Sequence, residues 1–254
     1  MKLRVRYTKL GKVRFLSHRD VARIWERAIR RAHLPIAYSE GFNPRPKLHF
    51  GLALSVGHES IDEYLDIDLR EGVDVPAAAS GLAACLPVGI DVVEVAELAS
   101  GGTSLQESVD VVVWRFVVPH QAAGGLAERV AEMLASDHLP IEVIRKAKPQ
   151  TIDLRPQVAA LRLVDDADRA DEPQPLLPRQ LADEVVEPEG LTLVAELRTR
   201  PRSVRPGELL AALGLDGVDV RVRRLHQFIE SDGVRRSPLP VADAGTAPAL
   251  REAG

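Results

Sequence analysis

Lys2-Leu3-Arg4-Val5-Arg6-Tyr7, read together with the helical stretch Arg19 to Ala32 behind it, decides the fold. In the first piece Leu3, Val5 and Tyr7 alternate with Lys2, Arg4 and Arg6, the period of a strand with one buried face. In the second, Val21, Ile24, Trp25, Ala28 and Ile29 recur at helical spacing, with Ser17 placed to cap the first turn. Val13 to Leu16 between them reads as more strand. Pro35 closes the helical region, and residues 36–38 suit a short strand. Working outward, Leu48 to Leu54 and Glu63 to Leu69 read as strands, about 76–86 as a helix and 90–97 as a strand. The order is β-α-β-β-α-β.

The second half repeats that order. Val109 to Val118 is a strand pattern, 121–136 a helix, Ile141 to Ala147 a strand, and Gln150 to Leu154 an extended piece toward Val158–Val164. Leu191 to Arg198, a short helix at 206–213 stopped by Gly214, and Val218 to Ile229 complete it. The expected fold is therefore α+β, with two ferredoxin-like (β-α-β-β-α-β) units in tandem. The first unit spans 1–99 and carries a basic N-terminal segment. A linker follows at 100–108, opening on Ser100-Gly101-Gly102-Thr103-Ser104, and then a second unit at 109–230. Two stretches lack a folding pattern: an acidic, proline-bearing insertion at 165–189 and a tail at 231–254, expected to be disordered.

A chain of 254 residues with 45% hydrophobic content has enough apolar material for one large domain or two small ones. The lone cysteine, Cys85, excludes an intramolecular disulfide and any cysteine-cluster zinc or iron–sulfur site built by this chain alone. No apolar run reaches membrane-spanning length and the first residues alternate, so the expected setting is the cytoplasm, with no membrane. The net charge of −4 hides an asymmetry: residues 1–50 hold thirteen Lys/Arg against three Asp/Glu, and residues 51–100 one Arg against ten Asp/Glu. A basic N-terminal segment suits a phosphate-binding surface, and equally a solvated helix face.

Three stretches carry the polar chemistry. Ser17, His18 and Arg19 sit where a strand enters a helix, a place that favours an anion, although plain capping by Ser17 accounts for the same residues. The loop Ser39-Glu40-Gly41-Phe42-Asn43-Pro44-Arg45-Pro46-Lys47 mixes an aromatic ring, an amide and cations on a proline-braced turn, so Phe42, Asn43, Arg45 and Lys47 form a candidate recognition surface. The competing account tucks Phe42 into the core. Arg145, Lys146, Lys148 and Arg155, around Asp153, occupy the corresponding loop of the second half. The helix adds Arg27, Arg30 and Arg31 on its polar face. Two expectations follow: that the Ser17–Arg19 and Phe42–Lys47 stretches share one cleft, and that the two related loops converge. His18 and His49 are the weak candidates for an acid–base pair in RNA cleavage. No phosphate loop, metalloprotease motif or nucleophile elbow is present, so the catalytic constellation is incomplete and no cofactor site is expected in this chain.

Arg14-Phe15-Leu16-Ser17-His18-Arg19-Asp20, Tyr38 to Pro46 and Ile152-Asp153-Leu154-Arg155-Pro156 resemble a bacterial family known as radical S-adenosylmethionine-linked (radical SAM-associated) proteins of unknown function. The resemblance covers roughly residues 1–230. It implies a stand-alone partner of a radical SAM enzyme with a cobalamin-type domain, binding RNA (tRNA or rRNA) or presenting a substrate in RNA modification or maturation. The alternative is a metal-independent RNA-processing enzyme on the same layout. The layout is similar to that of endoribonucleases of CRISPR systems and of tRNA-acting pseudouridine synthases. In the latter an Asp occupies the loop in which this chain has Asn43, and an amide cannot replace that carboxylate.

Overall fold

The computed structural model describes residues 1–99, 104–145, 148–164 and 189–240. It is a mixed α/β protein with one large mixed sheet of nine strands and, among the described residues, five α-helices. The first half contributes β1 (Lys2–Lys9), α1 (His18–Arg31), β2 (Leu48–Phe50), β3 (Glu59–Asp68), α2 (Val75–Cys85) and β4 (Val92–Leu98). α3 (Leu105–Ser108) follows. The second half contributes β5 (Val111–Val118), α4 (Leu126–Ala135), β6 (Pro140–Arg145), β7 (Lys148–Asp153), β8 (Val158–Val164), β9 (Leu191–Arg198), α5 (Pro206–Ala212), β10 (Arg221–Ser231) and β11 (Val234–Arg236).

The sheet runs β4-β1-β3-β10-β5-β9-β8, with β2 on β3 and β11 on β10; β6 and β7 form a separate hairpin. Pairing is antiparallel except where β10 meets β3 in parallel, over Arg223↔Glu59 and Arg224↔Ser60. The halves therefore share one continuous sheet.

The alternation in Lys2–Tyr7 is realised. Leu3, Val5 and Tyr7 join Leu65 and Ile67 of β3 beneath Val21, Trp25 and Ile29 of α1 and Leu82 of α2. Trp25 sets its edge against the Tyr7 ring at a centroid distance of 4.9 Å. On the opposite face a ladder of ion pairs joins β1 to β3: Lys2–Asp68 at 3.3 Å, Arg4–Asp66 and Arg6–Asp62 at 2.7 Å. A second, larger core gathers Trp114, Phe116 and Val118 of β5, Leu193, Ala195 and Leu197 of β9, and the apolar sides of α4 and α5.

Several expectations are corrected. Val13–Leu16 is not strand: Gly11–Phe15 is a 3-10 turn, held by the Lys9 ammonium donating to Arg14 O (3.2 Å) and Leu16 O (3.1 Å) and by Gly11 N donating to Glu59 Oε1 (3.1 Å). Residues 36–38 make only the isolated bridges Ile36↔Leu69 and Tyr38↔Pro46, and the strand expected to Leu54 ends at Phe50. The helix expected from 121 begins at Leu126, behind a 3-10 turn at His120–Ala122. Within the linker, 100–103 lie outside the described residues and Leu105–Ser108 is helical. Of the acidic insertion, 165–188 lie outside them too.

The tail expected from 231 carries structure as far as 240. β11 pairs with β10, Pro238 O accepts from Arg4 Nη1 (2.7 Å), and Leu239 is buried with Tyr64 and Leu105. A composition rich in Pro, Ala and Gly points to disorder, but a buried leucine and a satisfied buried arginine fix this segment. Residues 241–254 lie outside the described residues.

Candidate functional site

At the start of α1 the capping account holds. Ser17 Oγ accepts from Asp20 N (3.3 Å) and donates to Asp20 Oδ2 (2.6 Å), and that hydroxyl holds the Asp20 carboxyl below its usual range. Arg19 is exposed, and His18 sets its edge against Phe50 at 5.0 Å. Phe50 packs on the core beneath α1, so the neighbouring His49 projects from the other face of the sheet, where its Nε2 lies 3.5 Å from Asp68 Oδ2. The two histidines are on opposite faces and do not form an acid–base pair.

Further along α1, Arg27, Arg30 and Arg31 are exposed and make no ion pair among the described residues. With Ile24 and the end of α2 around Cys85 and Pro87 they line a hollow of about 660 Å³ that has no carboxylate among its described lining residues.

The loop after α1 is braced at its base. Ser39 N donates to Arg45 O (2.8 Å), Arg45 N donates to Ser39 Oγ (3.0 Å), and Lys47 N donates to Ala37 O (2.9 Å). Above that base Phe42 is fully exposed, with Asn43, Arg45 and Lys47 exposed around it. Phe42 does not enter the core. Tyr38 and Pro46 at the base share a hollow of about 330 Å³ with Glu26, Arg30 and His33 of α1 and its C-terminal end. Arg30 thus borders both hollows and joins the base of the loop, at Tyr38 and Pro46, to the basic face of α1; Phe42, Asn43, Arg45 and Lys47 line neither hollow, and Glu26 and Glu71 line the second. Ser17 and His18 do not belong to it: they start the helix, and its fourteen residues span about 21 Å at 1.5 Å per residue. The single cleft expected from the sequence is not formed.

In the second half Asp153 accepts from Leu139 N (2.7 Å) and Arg155 N (3.0 Å) and pairs with His138 Nδ1 (2.8 Å), which together lower its carboxyl to about 2. Arg155 donates to Ser136 O (2.9 Å) and Val158 O (3.1 Å). These two residues pin the β6–β7 hairpin to the end of α4, a structural use. Lys148 is exposed; the Arg145 side chain and Lys146 lie outside the described residues. The expected convergence of the two loops falls partly on residues outside the described ones. Among the described residues the hairpin brings Val143 and Ile144 to a cavity between the halves, and none of Phe42–Lys47 lines it.

That cavity, of about 660 Å³, escaped the sequence reading. It is bounded by residues 52–55 of the first half, by Val112 and Trp114 of β5, and by residues 197–199, 202–206 and Glu208. Arg224 reaches it across the sheet. Its guanidinium lies 4.7 Å from the Trp114 ring centroid and donates to Glu63 Oε1 (2.8 Å), Leu52 O (2.9 Å) and Ala53 O (3.1 Å). Burial pushes the Glu63 carboxyl up while Arg224 opposes the rise, and burial lowers Lys9. Beside them burial, Arg224 and Lys9 drive His58 down to about 4. The available signal was the run Arg221, Arg223 and Arg224 in the last long strand, where Arg223 and Arg224 fall on adjacent positions and so put a charge on each face, since charges in a central strand are tolerated only with partners.

A family model described as an uncharacterized protein conserved in bacteria (DUF2344) matches residues 2–192, taking in all of the first half and the second as far as Thr192. No curated protein matches the chain.

Proposed function

From the premise that this chain belongs to that uncharacterized bacterial family, we propose that it is an RNA-binding, substrate-presenting protein whose contact surface is the basic face of α1 together with the Phe42–Lys47 loop. The observation that carries this reading is the position of Arg30, which borders both hollows and links the base of the loop, at Tyr38 and Pro46, to the basic face. Arg27, Arg30 and Arg31 make no ion pair among the described residues and so offer cations to phosphates. Phe42, held out on a braced loop, offers a ring for base stacking at little ordering cost. The other face of the first half is ill suited to stacking, because the β1–β3 ion ladder and the Pro238–Leu239 segment occupy it.

Each half is read here as a ferredoxin-like unit. The strand orders β4-β1-β3-β2 and β10-β5-β9-β8, with antiparallel neighbours and helical crossovers, support that reading and the division near 99–108. The partner in this reading is a cytoplasmic radical SAM enzyme with a cobalamin-type domain, which brings the chemistry and its cofactors. That link is supported by the sequence resemblance. Capture of the tagged chain from its host, with recovered RNA and protein both identified, tests the proposal. RNA crosslinked to Phe42 or to the α1 arginines, and a radical enzyme lost on Phe42→Ala with Arg45→Ala, is the expected result. Recovery of neither refutes it.

A further inference from the structure

We propose that the cavity between the halves is a second, separate binding site, for a phosphorylated nucleoside, either free or as one unit of an RNA strand. Its volume of about 660 Å³ lies in the range of small-molecule sites. Its walls divide by chemistry. Leu54, Val112, Trp114 and Leu197 bring the second core to the surface as an apolar wall. The rest of the lining is cationic: Arg224, its guanidinium over the Trp114 ring, Arg202, Arg205, and Arg198, which pairs with Glu230 (3.1 Å); Glu208 is the only carboxylate among the described lining residues. A ligand with a flat, weakly polar end and an anionic end fits that division. Guanidinium groups match phosphate oxygens in geometry as well as charge. Inorganic phosphate alone leaves the apolar wall wet.

The guanidinium groups supply an independent observation. Arg224 is only 2% exposed, and although both terminal nitrogens are bonded, its buried Nε has no partner. Arg202 donates from Nη1 to Glu208, while its buried Nη2 has none. Buried donors are nearly always satisfied in folded proteins, so these two guanidinium groups keep unused donor capacity beside the cavity, which an acceptor reaches only if the side chains turn; the cations open to an incoming anion are those at the rim. Arg205, exposed at the rim and without an ion pair among the described residues, adds a third cation.

Isothermal titration of the full chain with each of the four ribonucleoside monophosphates tests this, with inorganic phosphate and unphosphorylated adenosine as comparisons. At least one monophosphate should bind saturably, and both comparisons should bind at least about tenfold more weakly, the loss of one charge-assisted hydrogen bond or of the apolar contact. Arg224 is tied into the buried seam, so its removal risks unfolding. Arg205→Glu and Arg198→Glu are rim changes that spare the core, and each should weaken binding about tenfold or more. The charge-reversed Arg27, Arg30 and Arg31 variant should keep its mononucleotide affinity, which separates this site from the α1 surface. Displacement of the mononucleotide by a single-stranded oligoribonucleotide assigns the site to a unit of RNA; persistence of mononucleotide binding assigns it to a free nucleotide. Absence of saturable mononucleotide binding, or binding indifferent to Arg205→Glu and Arg198→Glu, overturns the proposal.

Discussion

Arg224 Nη1 lies 2.8 Å from Glu63 Oε1, and this buried pair closes the last long strand of the second half onto β3 of the first. The backbone seam there is only two residues deep, so side chains carry the joint. Glu59 accepts from Arg223 (2.8 Å) and Arg221 (3.3 Å), and Asp62 Oδ2 accepts from Gln227 N (2.6 Å). The orientation of the halves, and with it the cavity, depends on charges that are stable only in pairs.

Removing one partner leaves the other charge buried and alone. Glu63→Gln or Arg224→Met should each destabilise the protein by about 3–5 kcal/mol, and the double variant should recover part of that loss. Urea denaturation of the three variants checks this.

His58 gives the joint a pH dependence. Its imidazole is held at about 4 against an ordinary 6.5, so the unfolded chain takes up a proton that the folded chain refuses. The stability it contributes is complete above pH 6.5 and is lost as pH falls toward 4. The size is at most about 3 kcal/mol, nearer 2 after allowance for partial exposure. His58→Asn should flatten the stability profile in that window.

Leu239 anchors the C-terminal segment against Tyr64 and Leu105. Leu239→Ala should cost about 2–3 kcal/mol, as truncation of a buried leucine does. A change under about 0.5 kcal/mol, the usual surface value, would show that the segment does not pack.

Phe42 is the opposite case. Fully exposed, it should tolerate Phe42→Ala with thermal stability unchanged, while RNA affinity falls by about 1–3 kcal/mol, the worth of one stacked base. Thermal melts and filter binding on the same preparations separate the two effects.

The β1 alternation and the α1 stripe were legible because each buries one face against a neighbour close in sequence: Leu3, Val5 and Tyr7 meet Trp25 and Ile29 as their spacing requires. The α1 arginines were legible for the same reason, since a buried stripe defines the exposed face opposite it. Three features were hidden. The 3-10 turn at Gly11–Phe15 depends on Lys9 and Glu59, the latter far away in the chain. The packing of Leu239 depends on a residue 175 positions earlier, Tyr64. The cavity depends on β10 returning to β3, a long-range pairing that local periodicity does not encode. The placement of Ser17–Arg19 was misjudged because loop chemistry was read without strand direction: β2 runs parallel to β1, which puts the loop before it at the far end of α1.

The most direct test of the RNA reading is the salt dependence of single-stranded RNA binding by the wild-type chain and by the Arg27→Glu, Arg30→Glu, Arg31→Glu variant. If the three arginines each neutralise one phosphate, the variant should bind far more weakly, and its slope of log affinity against log salt should be shallower by about 2, at about 0.7 per phosphate. Equal affinities and equal slopes in a folded variant would contradict the account and return the α1 arginines to the role of a solvated helix face.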